Sequence, residues 1–597
     1  MNTLPGLLRQ RMASDAARII LRRKDRGIWK PMTWADLGTR VRALVRALHA
    51  DGFGQGMTGA ILADTHPEWL QADLALQSAG GASASLSPFA GVEEITRQLR
   101  DIGASLAFVE NEEQLDKALE ARAACPALRR IVVFDMKGLR DLNDPICISF
   151  ADYLTNGANA ADAWDAAIDA LDPDATAALV YAPDCSDSGD AVRLSHRTLA
   201  TAIEAAVRLF APHALDERLA VMPLSHVGER VLGAYVSLHA GCISNFGEGA
   251  GTLEENLREV NPTVMVAAPA QWKRFRDRII LAAGAATRLQ RSMFRIAFSA
   301  GAVVGATRSD GRRATPGKSL AAWLAWPVLA NVRRDLGLSR LRVGLISGGT
   351  VAPDMIRWFM TLGIDPIEVY GPAESGGLAA APAPGTIRSG DVGSPIAPGL
   401  LRISPAGEIE LHFDSGPSDR PSDQAWRGTG DAGVMKDGRL TVLGRIAGVI
   451  TPRDGHLLHP EPIEQALCLS PYIADALVVG DGQAFLGCLL RLEADAVEGW
   501  AHAKRVAFSS FAELANTAEV RGLLQAEIDR VNATAARSSP IRAFRAIDRR
   551  LQEGDPELTP LGTLKRAPAI TAFHALIAAM YDEGTCTSRQ TAGEVVN

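Results

Sequence analysis

Short apolar runs recur along the first half of the chain, each following a segment of helical period, and this alternation leaves few folds open. Gly59-Ala60-Ile61-Leu62-Ala63, Ser105-Leu106-Ala107-Phe108-Val109 and Arg130-Ile131-Val132-Val133-Phe134 read as strands buried on both faces, and amphipathic stretches such as Leu37 to Ala50 read as the helices between them. Strands of this kind need helices on both sides, so the pattern predicts parallel α/β layers. Arg218 to Met222 and Thr263 to Ala268 continue it. The rhythm breaks from about 275 to 335, where Arg- and Ala-rich helical sequence reads as an insertion.

At 597 residues the chain is too long for one core. Short strands between about 400 and 444, punctuated by Asp414-Ser415-Gly416-Pro417 and Lys436-Asp437-Gly438, suit a small β-barrel element. After Gly444-Arg445 the character changes to mixed helix and strand. The expected organisation is a large N-terminal α/β domain over 1–445, a smaller α+β domain over 446–585, and a tail over 586–597.

A net charge of −7 gives no basis for nucleic-acid binding. Seven cysteines stand singly, without a CxxC pair, which fits reduced thiols in a cytoplasmic protein and gives no zinc pattern. Neither a signal peptide nor a membrane-spanning run is read from the sequence. The nearest apolar stretch is Ser319 to Val332, with Trp323, Trp326 and Pro327. A buried helix of the inserted subdomain is the favoured expectation for it; an amphipathic surface helix touching anionic lipid, and so peripheral contact on the inner face of a membrane, is the alternative.

Four local signatures follow one another in a fixed order. A strand-like entry, Leu179-Val180-Tyr181, and a Leu194-Ser195-His196 exit frame a loop. Next come Tyr370-Gly371-Pro372-Ala373-Glu374-Ser375, then Trp426-Arg427-Gly428-Thr429-Gly430-Asp431, then Gly444-Arg445. In this order and spacing the chain resembles the adenylate-forming, AMP-binding acyl-CoA synthetases. Pro223 to Arg230, the helical insertion, and His459-Pro460-Glu461-Pro462-Ile463-Glu464 resemble most the long-chain fatty acyl branch. The resemblance implies a large adenylate-forming domain with a mobile C-terminal lid, ATP, magnesium and coenzyme A as cofactors, and a fatty acid or acyl-CoA as ligand.

It also implies roles. Glu374 would hold magnesium, as a hard oxygen ligand can. Tyr370 would lie near adenine, with Gly371 and Gly349 lining the nucleotide pocket. Asp431 and Arg445 would hold the ribose, His226 would stand beside the reacting carboxylate, and Trp272 near the mouth of the acyl tunnel. Ser186 and Ser188 are the hydroxyls left in the phosphate loop.

That loop departs from the family pattern. Asp184, Asp187 and Asp190 occupy two glycine places and the lysine place, and Ala182 and Pro183 replace hydroxyl donors. A carboxylate about 5 Å from a phosphate charge costs roughly 3 kcal/mol at an effective dielectric of about 20, where a lysine would gain as much. The hinge acid is Gly448, Ala373 stands for a threonine, and the C-terminal lysine place holds Thr563, with Lys565 two residues on and on the same face of a strand. Three readings stay open: a weak or atypical ligase, a non-catalytic acyl- or nucleotide-binding relative, and an enzyme using acyl-AMP or acyl-CoA without ATP activation.

Overall fold

The computed structural model describes residues 3–181, 190–309, 315–412, 426–534, 536–537, 539–552 and 554–582. Loop residues Ala182 to Gly189, among them Ser186 and Ser188, lie outside the described residues, as do the 414–417 turn and the tail from 586.

The alternating pattern becomes a seven-stranded sheet in the spatial order Cys147–Ser149, Arg130–Val133, Leu106–Val109, Thr58–Leu62, Ala82–Leu86, Thr176–Val180, Val192–Ser195. All neighbours are parallel except the last pair. Every residue of Thr58–Leu62 and of Ala82–Leu86 is buried, as strands covered on both faces require. The helix Trp34–Ala50 starts at a capping box between Thr33 and Asp36 and buries Leu37, Val41, Leu44, Val45 and Leu48. A second parallel set, Val264–Ala267, Val343–Ile346 and Pro366–Glu368, carries the loops of the candidate site at its C-terminal ends.

Leu401–Ile403, Glu408–His412, Trp426–Lys436 and Arg439–Arg445 form an antiparallel four-stranded sheet. Asp437 and Gly438, at φ +51° and +73°, make the two-residue turn that such a hairpin favours. From Ile446 on, a three-stranded sheet of Ile473–Val479, Leu486–Leu492 and Ile541–Ala546 builds its own core with Ile463, Leu467, Val497 and Leu524. This unit rests on the larger one: Leu469 joins the large core, Arg276 donates to its carbonyl at 2.8 Å, and Gln465 bonds the Thr350 hydroxyl.

The Pro223 to Arg230 segment ends in a residue that cements the fold. Arg230 is fully buried, donates to Asp73 at 2.5 Å, to the Tyr235 hydroxyl at 2.8 Å, to the Ser83 carbonyl at 3.1 Å and to the Leu179 carbonyl at 3.3 Å, and so ties four segments together. A guanidinium without water needs this many acceptors.

The insertion consists of the helices Pro269–Ala285, Arg288–Ser309 and Pro316–Asp335. Gly301 and Gly305 let the middle helix close on Thr361. The expectation of a buried helix at 319–332 is corrected: Leu320, Trp323 and Leu324 are 58, 69 and 66 % exposed, and of its large apolar side chains only Leu329 is fully enclosed. Among the described residues no helix is long and apolar enough to cross a membrane.

Candidate nucleotide and acyl site

Antiparallel pairing of Trp426–Lys436 with Arg439–Arg445 sets Asp431 directly opposite Arg445. Arg445 donates to Asp431 Oδ1 at 3.0 Å and to the Thr429 carbonyl at 3.2 Å. Tyr370, entering from the other side, donates its hydroxyl to Asp431 Oδ2 at 2.9 Å, and that hydroxyl lies 3.1 Å from Thr429 Oγ1. Burial and the Asp431 charge push the Tyr370 phenol well above its usual range, so it stays neutral. Each Asp431 oxygen therefore has one internal partner and a lone pair to spare, which suits a sugar hydroxyl.

Beyond Tyr370 the chain folds sharply on itself. A Cβ on Gly371 would fall 2.3 Å from the Leu378 nitrogen, so no side chain fits there. The short helical turn Ala373–Ser375 presents Glu374, whose Oε2 is buried with no hydrogen-bond partner. A buried carboxylate oxygen without a donor is open to a cation or a hydrogen-bond donor. Among the described residues no group of three or more His, Cys, Asp or Glu could hold a metal ion by itself. Glu374 thus fits magnesium carried largely by substrate phosphates and water.

His226 and the Ser347-Gly348 turn meet beside this loop. His226 Nδ1 accepts from the Gly228 N–H at 3.1 Å, which places the ring proton on Nε2. Burial pulls its pKa down to about 4, so the ring is neutral near pH 7. Gly348 is left-handed at φ +85°, and a Cβ on it would fall 2.8 Å from His226 Nε2 and 3.1 Å from Leu561. Gly349 follows, against the Pro269 ring.

Leu561 comes from the C-terminal unit. It occupies the tip of a hairpin closed by the Leu558–Leu564 bridge, a Gly562 N–H to Thr559 carbonyl bond of 2.8 Å, and Arg491 donating to the Gly562 carbonyl at 2.7 Å. The contact with Gly348 is thus apolar. Thr563 spends its hydroxyl on Thr559 at 2.8 Å. Lys565 caps the helix Arg566–Ala572, its N–H on the Glu557 carbonyl at 2.7 Å, and its ammonium forms no ion pair among the described residues.

Trp272 is wholly buried, donates to the Leu345 carbonyl at 3.2 Å and stands edge-on to Phe359 at 4.8 Å. Its ring lies against Gly344, whereas the neighbouring Val343 and Leu345 side chains point to the other face of the sheet. There they line a narrow, mainly apolar cavity with Phe210, Leu232, Val236 and Met265. The Arg218–Glu229 pair is buried where that cavity meets the helical segment that starts at Gly228.

Four groups central to this geometry were not read as site residues from the sequence: Thr429, Leu561, Gln465 and Glu461. Glu461 accepts from the Arg445 N–H at 3.0 Å, its Oε2 is buried without a partner, and Gly444 and Gly448 both lie against its carboxylate. Its place in the His459-Pro460-Glu461 motif was the available signal. The phosphate loop is represented by its frame: Thr176–Val180 pairs antiparallel with Val192–Ser195, Tyr181 anchors on Asp101 at 2.8 Å, and Asp190 is exposed.

Comparison with known proteins bears on this geometry. The AMP-binding enzyme family matches residues 8–404, and the AMP-binding enzyme C-terminal domain matches residues 448–585. A long-chain-fatty-acid–CoA ligase of Mycobacterium tuberculosis, FadD15, is 27 % identical over 591 residues, 95 % of each chain. The ACSBG2 long-chain-fatty-acid–CoA ligase of Xenopus laevis is 24 % identical over 80 % of this chain and 67 % of its own. Among solved structures, the adenylation domain of a carboxylate reductase from Mycobacterium chelonae superposes with a TM-score of 0.75 at 18 % identity, covering 97 % of this chain and 91 % of that one. An anthranilate CoA ligase in complex with anthranoyl-AMP gives 0.68 at 17 %, covering 97 % and 98 %.

Proposed function

The chain belongs to the AMP-binding enzyme family, and on that premise we propose that it is an AMP-forming long-chain fatty acyl-CoA ligase, slowed by its altered loop and hairpin. The observation that carries this reading is the polar capacity left along one segment: Asp431 shared between Tyr370 and Arg445 with lone pairs to spare, and, four residues on from Tyr370, the unpartnered Glu374 oxygen. ATP, with magnesium, would activate the fatty acid carboxylate as an acyl-adenylate with release of pyrophosphate, and coenzyme A would take the acyl group with release of AMP. Asp431 and Arg445 orient the ribose, and Tyr370 holds Asp431 from the adenine side. Glu374 holds the cation that offsets phosphate charge. Neutral His226, with its proton on Nε2, donates toward the substrate carboxylate, and the narrow cavity behind Leu232 and Leu345, on the sheet of Val264–Ala267 and Val343–Ile346, must open to take an apolar chain. Trp272 closes the opposite face of that sheet. Lys565 is the remaining cation of the C-terminal hairpin and would need a shift of register to serve as the family lysine. Because long acyl chains partition into bilayers, peripheral contact with the inner face of a membrane belongs to the same reading.

A second reading, a non-catalytic acyl- or nucleotide-binding relative, is favoured by one observation: the hairpin presents Leu561, not a cation, to Gly348. ATP–pyrophosphate exchange with fatty acids from octanoate to stearate separates the two. Exchange above background that falls by about 100-fold or more in Glu374→Ala is the expected result. Exchange indistinguishable from buffer, with AMP binding retained, would establish the second reading.

A further inference from the structure

The protein carries net charge −7, yet most of the exposed large apolar side chains among the described residues lie in a basic segment, 288–334. On the Arg288–Ser309 helix, Leu289, Met293, Ile296 and Val303 are 71, 50, 71 and 42 % exposed. Their spacing of four, three and seven residues stacks them in one stripe about 80° wide. The packed face of the same helix, Ala297, Gly301 and Gly305, is turned away from that stripe against Leu329 and Thr361. On the Pro316–Asp335 helix, Leu320, Trp323, Leu324 and Pro327 share a second exposed stripe, opposite the enclosed Leu329. Trp326, less open, is flanked by Gly363 and by the Arg333 guanidinium 5.7 Å from its ring centre.

Among the described residues no acid occurs between Asp277 and Asp335, while Arg288, Arg291, Arg295, Arg308, Arg333 and Arg334 do. Arg308 is paired with Asp365, and Arg291 and Arg333 bond backbone carbonyls, which leaves their charge uncompensated by a carboxylate contact. Arg288, Arg291 and Arg295 flank the first stripe along one side, about a sixth to a third of a turn from its edge.

We propose that this helical pair is a docking surface for an anionic bilayer, with the two apolar stripes entering the headgroup boundary and the flanking arginines meeting lipid phosphates. Exposed tryptophan and leucine beside arginine is the chemistry of helices that lie in an interface. The charge decides the occupant. A second copy of the chain would set these arginines against their own kind, whereas an anionic surface attracts each of them. The rest of the molecule, being acidic, is held off, so this segment also orients the protein on the surface. The proposal locates on this helical pair the membrane contact that the ligase reading includes, and it is argued from exposure and charge rather than from the chemistry of the site.

The test is co-sedimentation of the full chain with vesicles of phosphatidylcholine alone and with about one third phosphatidylglycerol. Binding to the anionic vesicles is expected, falling about tenfold in Trp323→Ala/Leu324→Ala and at least as much in Arg288→Glu/Arg295→Glu. Circular dichroism and pyrophosphate exchange on octanoate serve as controls, and both should match the parent, since none of these four residues lies in the candidate site. Equal pelleting with neutral and anionic vesicles, or parent-like pelleting of both variants, would overturn the proposal. So would sedimentation velocity showing a dimer that only the variants lose. Absence of exchange in every variant together with intact vesicle binding would count against the ligase reading alone.

Discussion

The strand pair bearing Asp431 and Arg445 and the hairpin bearing Leu561 and Thr563 are both antiparallel turns aimed at the candidate site, but their polar atoms are spent differently. In the first, cross-strand register sets acid against base, and Tyr370 fills the remaining acceptor without exhausting it. In the second, the hydroxyls of Thr559 and Thr563 satisfy each other, the backbone closes the turn, and the tip delivers a leucine. One region keeps polar capacity for a ligand; the other consumes its own. Docking of the C-terminal unit thus needs only shape and apolar contact, while acceleration of the chemistry needs charge at the same place.

This contrast can be broken most directly at Asp431. Asp431→Ala is expected to lower ATP affinity by about 100-fold, because Arg445 and Tyr370 then lose their shared acceptor as well as the ribose contact. Thr563→Ala should change it by less than about twofold. Calorimetric titration of both variants would show the contrast to be false if the losses were equal.

The second way is through pH. Glu368, at the end of the strand leading to Tyr370, is buried and accepts from the Val351 N–H at 3.2 Å; burial pushes its pKa up to about 8. Its carboxyl stays protonated in the fold where the unfolded chain has already released the proton. Stability from this group is therefore complete below about pH 4.5 and lost as pH rises through about 8. Glu368→Gln should flatten that decline by roughly 4 kcal/mol in urea titrations from pH 5 to 9. A slope identical to the parent would show that Glu368 ionises normally.

The smallest effect sharpens the hairpin side. Thr563→Lys should raise pyrophosphate exchange about tenfold by adding a cation to the hairpin whose tip meets Gly348. No gain, with the fold intact by circular dichroism, would shift the deficit to the aspartates of the phosphate loop.

Much of the site was legible because its signatures are short and ordered. Tyr370, Gly371, Glu374, Asp431 and Arg445 lie in local motifs, and Tyr370, Asp431 and Arg445 converge in space. Leu561 and Glu461 were not legible as site residues. A leucine at a turn and an acid opening a helix are common, and only a partner more than 200 residues away in the chain, Gly348, singles out the first. The exposed face at 320–327 was misjudged for a related reason: an alanine- and tryptophan-rich helix has the same composition whether or not another layer covers it.

By itself the sequence determined the α/β layering, the family and the departures at Gly448, Thr563 and Asp190, because hydrophobic period and motif order are properties of neighbouring residues. The tertiary structure alone decided that Asp431 is shared between Tyr370 and Arg445, that an apolar tip meets Gly348, and that Trp323 faces solvent. Those outcomes depend on which distant segments fill the space around a side chain, and long-range packing is not written in any local period.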